Sequence, residues 1–108
     1  MKRSSTPTHT FTLPFDYQGF CERFMLSYGQ IVRGAESIVL QKTESDIGSG
    51  VFVEGDTIRL TLTQEETLLF EGASAIVEMK VYTKDKKVLI SDKVYVPVQD
   101  VLNDEVFK

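Results

Sequence analysis

Ile58, Leu60 and Leu62 alternate with Thr57, Arg59 and Thr61, the period of two that turns one face of a strand to a core and the other to solvent. Thr63-Gln64-Glu65-Glu66 follows at once. The Thr63 hydroxyl can accept from the Glu66 backbone N–H while the Glu66 carboxylate reaches back to the Thr63 N–H, so this tetrapeptide predicts a capping box opening one short helix near residues 64–70. Gly72 then suits the left-handed position that closes a helix.

The same alternation recurs along the chain. Phe11, Leu13 and Phe15 alternate with Thr10, Thr12 and Pro14, and Pro14, which has no N–H for a ladder, places this strand at an edge or ends it. A turn follows at residues 16–19. Residues 17–28 carry two patterns: Tyr17, Phe20, Cys21, Phe24 and Tyr28 fit a helical stripe, whereas Phe24, Leu26 and Tyr28 fit a strand face. A strand over 23–30 is favoured because Gly19 weakens a helix start and an aromatic-rich run suits a pleated surface, with a short helix as the alternative.

Residues 31–35, with Gly34, read as a hairpin turn into a strand at 36–43; residues 46–50 form a connection, 51–53 a short strand and 54–56 a tight turn into 57–62. In 75–83, Val77, Met79 and Val81 face in while Glu78, Lys80 and Tyr82 face out, and 84–87 turns into a partner strand at 88–98. Asp92 interrupts the apolar face of that strand, which calls for a bulge or bend near Ser91-Asp92. This spacing predicts an all-β fold, an immunoglobulin-like β-sandwich of about seven strands with one short helix, and leaves a partly closed barrel as the alternative. The domain spans residues 10–100, between a polar arm at 1–9 and an apolar tail at 101–108. In that tail Val101, Leu102, Val106 and Phe107 are too greasy for a solvated end and require either the core or a partner's groove.

A length of 108 residues fits one domain, and a net charge of −4 argues against a nucleic-acid-coating role, with Lys2-Arg3 too short a basic run to reverse this. Cys21 is the sole cysteine, which excludes an intramolecular disulfide and fits a reducing cytoplasm. No apolar run follows the basic residues at the start, and no stretch reaches membrane-spanning length, so neither a secretory signal nor a membrane partner is expected.

The inventory for chemistry is thin. His9, the only histidine, falls in the polar arm, so no base for a nucleophilic triad is expected inside the fold. Cys21 among Phe20, Glu22 and Phe24 reads as a buried inert thiol. One Cys and one His cannot make a zinc site, and Glu44, Asp46, Asp56, Asp100, Asp104 and Glu105 lack the alternating spacing of a calcium loop. Glu65 and Glu66 read as helix-capping charges instead of a glycosidase pair, and Gly48-Ser49-Gly50 as a hinge lacking the features of a phosphate loop. No catalytic residue, metal or cofactor is assigned, and a small-molecule ligand is disfavoured. Tyr82 and Tyr95 both fall on outward faces, where they form either ordinary cross-strand pairs or a glycan platform.

The segments FTLPFDY, FMLSYGQ, SIVLQKT, TIRLTLTQEETLLF, IVEMKVYTKDKKVLISD and VPVQDVLND together resemble a group of small β-sandwich virion structural proteins of tailed phages and prophages of Gram-positive bacteria. The resemblance spans about residues 11–103 and implies a non-enzymatic head, neck, tail or baseplate component. It implies other virion proteins and copies of itself as partners, synthesis in the bacterial cytoplasm without a signal peptide, and release in the virion. Lys2, Arg3, Val101, Leu102, Val106 and Phe107 are the expected partner contacts. The alternative is a glycan- or host-surface-binding module using Tyr82 and Tyr95.

Overall fold

In the computed structural model, which describes residues 1–103 and 105–107, the chain forms two antiparallel sheets packed face to face, an all-β sandwich. The smaller sheet has the order β1-β5-β4, from β1 (Thr8–Thr12), β5 (Thr57–Thr61) and β4 (Val51–Glu54). The larger has the order β3-β2-β6, from β3 (Ala35–Thr43), β2 (Cys21–Val32) and β6 (Ser74–Thr83). Both β7 (Val88–Ile90) and β8 (Val94–Pro97) pair with the far side of β6. This connectivity follows the immunoglobulin pattern, with β1, β5 and β4 in the places of strands B, E and D and β3, β2, β6 and β7–β8 in those of C′, C, F and G.

The inward residues are those the alternation marks. Ile58, Leu60 and Leu62 from the small sheet side meet Phe24, Leu26, Tyr28, Val77, Met79 and Val81 from the large one, all buried. Phe70 and Tyr17 close the core with edge-on contacts to Tyr28 and Phe24. The β2–β3 hairpin is a two-residue turn in which both Arg33 and Gly34 have positive φ, 54° and 80°, the primed geometry that matches strand twist.

Several expectations shift in register or kind. Residues 17–28 contain both alternatives in series: a helical turn α1 (Tyr17–Phe20), capped by the Asp16 carboxylate accepting from Gly19 N at 2.7 Å, and then β2. The expected turn at 16–19 is that helix. The strand at 88–98 is broken as Asp92 requires, giving eight strands among the described residues: Ser91 Oγ accepts from Met79 N at 2.9 Å in place of a ladder carbonyl. Gly72 does not take the left-handed conformation; a Cβ there would approach Ile31 O at 3.0 Å, so its role is close approach of backbones. A second capping box, Thr43 with Asp46, opens a 3-10 turn (Glu44–Asp46) that carries the chain from β3 to β4. The helix α2 (Gln64–Thr67) forms on the predicted Thr63–Glu66 box but stops short of residue 70.

Candidate functional site

The N-terminal arm is part of the body. His9 and Thr8 belong to β1, and residues 1–3 run beside the chain after β8: Arg3 N donates to Gln99 O at 3.0 Å and Gln99 N to Met1 O at 2.8 Å, with Lys2 bridged in parallel to Gln99. The segment therefore starts on the large sheet and crosses to the small one. Arg3 fastens it, since its guanidinium donates to Leu68 O at 3.2 Å, at the end of α2, and meets Asp100 Oδ1 at 3.3 Å. Of the two basic candidates, Lys2 is exposed and Arg3 is consumed inside the chain.

His9 is the main departure from the sequence reading, because alternation carries it inward. Its Nδ1 lies 2.7 Å from the Tyr28 hydroxyl, with the rings stacked. Burial, and then the charge of the amino terminus, lower its pKa, while burial followed by the Glu66 charge raises that of Tyr28. Both groups are held neutral, and the tautomer of the imidazole sets which of them donates. Only the period-two frame of Phe11, read two residues further back, signals this in sequence. Cys21 is buried as expected, and burial raises its pKa, the opposite of an activated thiolate.

The loop carboxylates are spent on local hydrogen bonds, two to backbone and one to a side chain. Glu44 Oε2 accepts from Phe24 N at 3.3 Å, Asp46 Oδ2 from Thr43 N at 2.8 Å, and Asp56 from the Thr57 hydroxyl at 3.1 Å. Glu66 Oε2 lies 2.6 Å from Lys42 Nζ in a half-buried pair; burial raises its pKa, but the Lys42 and Thr63 hydrogen bonds outweigh this and the net shift is down. Among the described residues no three His, Cys, Asp or Glu side chains gather as metal ligands, and no helix is long and apolar enough to cross a membrane. Asp104 and Lys108 lie outside the described residues.

What the sandwich leaves uncovered is apolar. The small sheet ends at β1 and does not extend over β7 and β8, so the inward-facing Leu89 and Val94 stay 45% and 54% exposed, while Val88, Ile90 and Tyr95 are exposed on the outer face of the same strands. Beside them Leu13, Pro14 and Phe15 face Met79, Val81 and Leu89 across an open groove of about 260 Å³. In the tail, Val101 and Val106 are half-buried while Leu102 and Phe107 are fully exposed. The tail is tethered by its backbone, with Phe107 N donating to Gln64 Oε1 at 3.0 Å and Gln64 Nε2 to Phe107 O at 3.2 Å.

The outer face of the large sheet holds both tyrosines, but not together. Tyr95 pairs with Ile76 at the start of β6 and Tyr82 sits six residues further on, so about 20 Å separates them at about 3.3 Å per residue. They form no common platform. The Tyr82 ring is covered by Arg23, with Cζ 4.9 Å from the centroid, and by Lys86 at 5.7 Å. Between the two ends an ion pair, Lys93 Nζ to Glu36 Oε2 at 2.9 Å, reaches from one edge of the sheet to the other and borders a hollow of about 280 Å³ lined by Gly29 and Ile76. Under this cover Ile76, although on the outer face, is only 6% exposed.

The fold and its surfaces thus define a two-sheet antiparallel sandwich with an uncovered apolar flank. A scan against protein-family models finds no match, and a search of curated proteins finds no similar one.

Proposed function

We propose that the chain is a non-enzymatic structural or accessory subunit of a tailed-phage virion that works through contacts with other virion proteins and with copies of itself. The observation that carries this reading is the set of exposed apolar side chains on β7 and β8, together with the exposed Leu102 and Phe107 of the tail. A flank of this kind, next to unpaired strand edges, is an aggregation hazard for a lone protein and an interface for an assembled one. The resemblance of residues 11–103 to small virion sandwiches supports the same assignment, and a subunit made in the bacterial cytoplasm would leave the cell in the particle.

Particles purified on a density gradient from the bacterium carrying the gene are the test. The chain is expected in the particle peak by mass spectrometry, with immunogold label at one station of the virion. Its absence from washed, infectious particles overturns the assignment.

A further inference from the structure

We propose that copies of this chain associate head to tail, the C-terminal segment around Leu102, Glu105 and Phe107 of one copy docking in a basic, apolar cleft at the opposite end of the next. This deepens the assembly reading by naming the partner surface, and rests on it.

The cleft lies on the outer face of the large sheet, where β2 begins and β6 ends. Arg23 and Met25 stand beside Tyr82 and Lys80, with Val88 of β7 at the rim, around a volume of about 360 Å³. Among the described residues neither Arg23 nor Lys80 has a carboxylate within salt-bridge distance. Glu44, the acid on the cleft wall, is turned to Phe24 N, and Glu22 lies 3.5 Å from Lys86. An acidic protein of net charge −4 thus keeps two cations without a carboxylate partner at this cleft, Arg23 stacked on Tyr82 and Lys80 beside Met25. A matching occupant combines negative charge with exposed apolar side chains.

The tail has that composition. Leu102 is 107% and Phe107 90% exposed, and Glu105 is exposed between them. It cannot serve its own cleft. Gln64 holds Phe107, and Ser4 Oγ donates to Glu105 O at 3.2 Å, which keeps the tail beside α2. Gln30, at the far end of β2, accepts from Glu71 and Gly72 just after α2, and Val98 N donates to Ala73 O before β6. The length of β6, ten residues or about 30 Å, separates this end from Tyr82. The contact is therefore between copies and heterologous, and repeating it builds a ring or an open chain. One segment in one cleft buries less than the roughly 1,200 Å² of a stable interface, so association depends on concentration and on salt.

Sedimentation velocity on the full chain tests this. The wild-type weight-average mass is expected to rise with concentration and to fall at high salt. Arg23→Glu/Lys80→Glu removes the cleft and Leu102→Ser/Phe107→Ser removes the docking side chains; each is expected to sediment as a monomer, and an equimolar mixture to form a one-to-one dimer that grows no further. Val88→Asp is a second cleft variant should the charge reversals perturb folding, which thermal melts check. A wild-type monomer throughout, single variants that associate like the wild type, or a mixture that stays monomeric each overturns the proposal. A chain that is monomeric yet present in purified particles sinks the head-to-tail contact alone; one that associates head to tail yet is missing from particles sinks the virion assignment alone.

Discussion

His9 Nδ1 stands 2.7 Å from the Tyr28 hydroxyl, joining the first strand of the small sheet to the centre of the large one by a neutral hydrogen bond. Because burial holds the His9 pKa below the ordinary 6.5, the folded protein binds fewer protons there than the unfolded chain. Its contribution to stability is whole above pH 6.5 and is lost as pH falls through the folded value. Between about pH 7.5 and about pH 5.5 the wild-type melting temperature is expected to drop, and His9→Gln to flatten that slope. Equal slopes for the two proteins would show that the imidazole stays accessible to protons.

The box at Thr63 and Glu66 makes a second, more acidic prediction. Glu66 accepts from Thr63 N at 2.9 Å and pairs with Lys42, which draws β3 toward α2. Its lowered folded pKa means that this stability is present above the model-peptide value of 4.5 and is lost below it. Thr63→Ala is expected to cost about 1 kcal/mol in urea unfolding at neutral pH, as loss of an N-cap usually does. Glu66→Gln is expected to remove part of the acid limb below pH 4.5 and leave the His9 limb intact.

Gly29 separates steric need from conformational freedom. A Cβ there would meet Ser37 O at 2.8 Å, at the point where the β2–β3 register slips past Val39. Gly29→Ala is expected to cost about 1–3 kcal/mol, an overpacking penalty, with backbone atoms on the receiving side unable to swing away. Gly34→Ala meets no atom within 4 Å and carries only the strain of φ +80°, a smaller loss of about 1 kcal/mol. A larger loss at Gly34 than at Gly29 in denaturant titrations would overturn this ordering.

These features differ in how far the sequence announces them. Ile58, Leu60 and Leu62 are legible because local alternation alone decides their face, and Thr63–Glu66 because a capping box is complete within four residues. The break at Ser91-Asp92 is legible for the same reason, as a polar residue in an apolar frame. Val88, Ile90 and Val94 share one face by simple alternation, but the break at Ser91-Asp92 shifts the frame so that Val88 and Ile90 turn outward and Leu89 inward with Val94; both inward residues stay exposed because burial depends on how far the opposite sheet extends, and no residue near them encodes that. Ile76 is the converse, an outer-face side chain covered by an ion pair between residues 57 positions apart. Tyr82 and Tyr95 show the same limit: alternation puts both on one face and cannot give their separation along β6. His9 is obscured by its polar neighbours, since a strand with threonines on its solvent face looks like a polar arm.

Arg3 supplies the last prediction, because the N-terminal segment depends on it more than on any side chain nearby. Its bond to Leu68 O is half-buried, whereas the Asp100 carboxylate is 86% exposed, so solvent screens the ion pair and the carbonyl contact carries most of the effect. Arg3→Ala removes the link between the segment and α2 while leaving the backbone bonds to Gln99. Amide exchange of residue 3 and Gln99 is expected to accelerate, and exchange in β5 and the middle of β6 to stay slow, since the amides of Arg3 and Gln99 close the seam between the two ends of the chain. Arg3→Lys keeps a charge but not the fork that reaches Leu68 and Asp100 together, so it is expected to restore little of the protection. Unchanged exchange at residue 3 and Gln99 in Arg3→Ala would mean that the backbone pairing of Met1 and Arg3 with Gln99 holds the seam without the guanidinium.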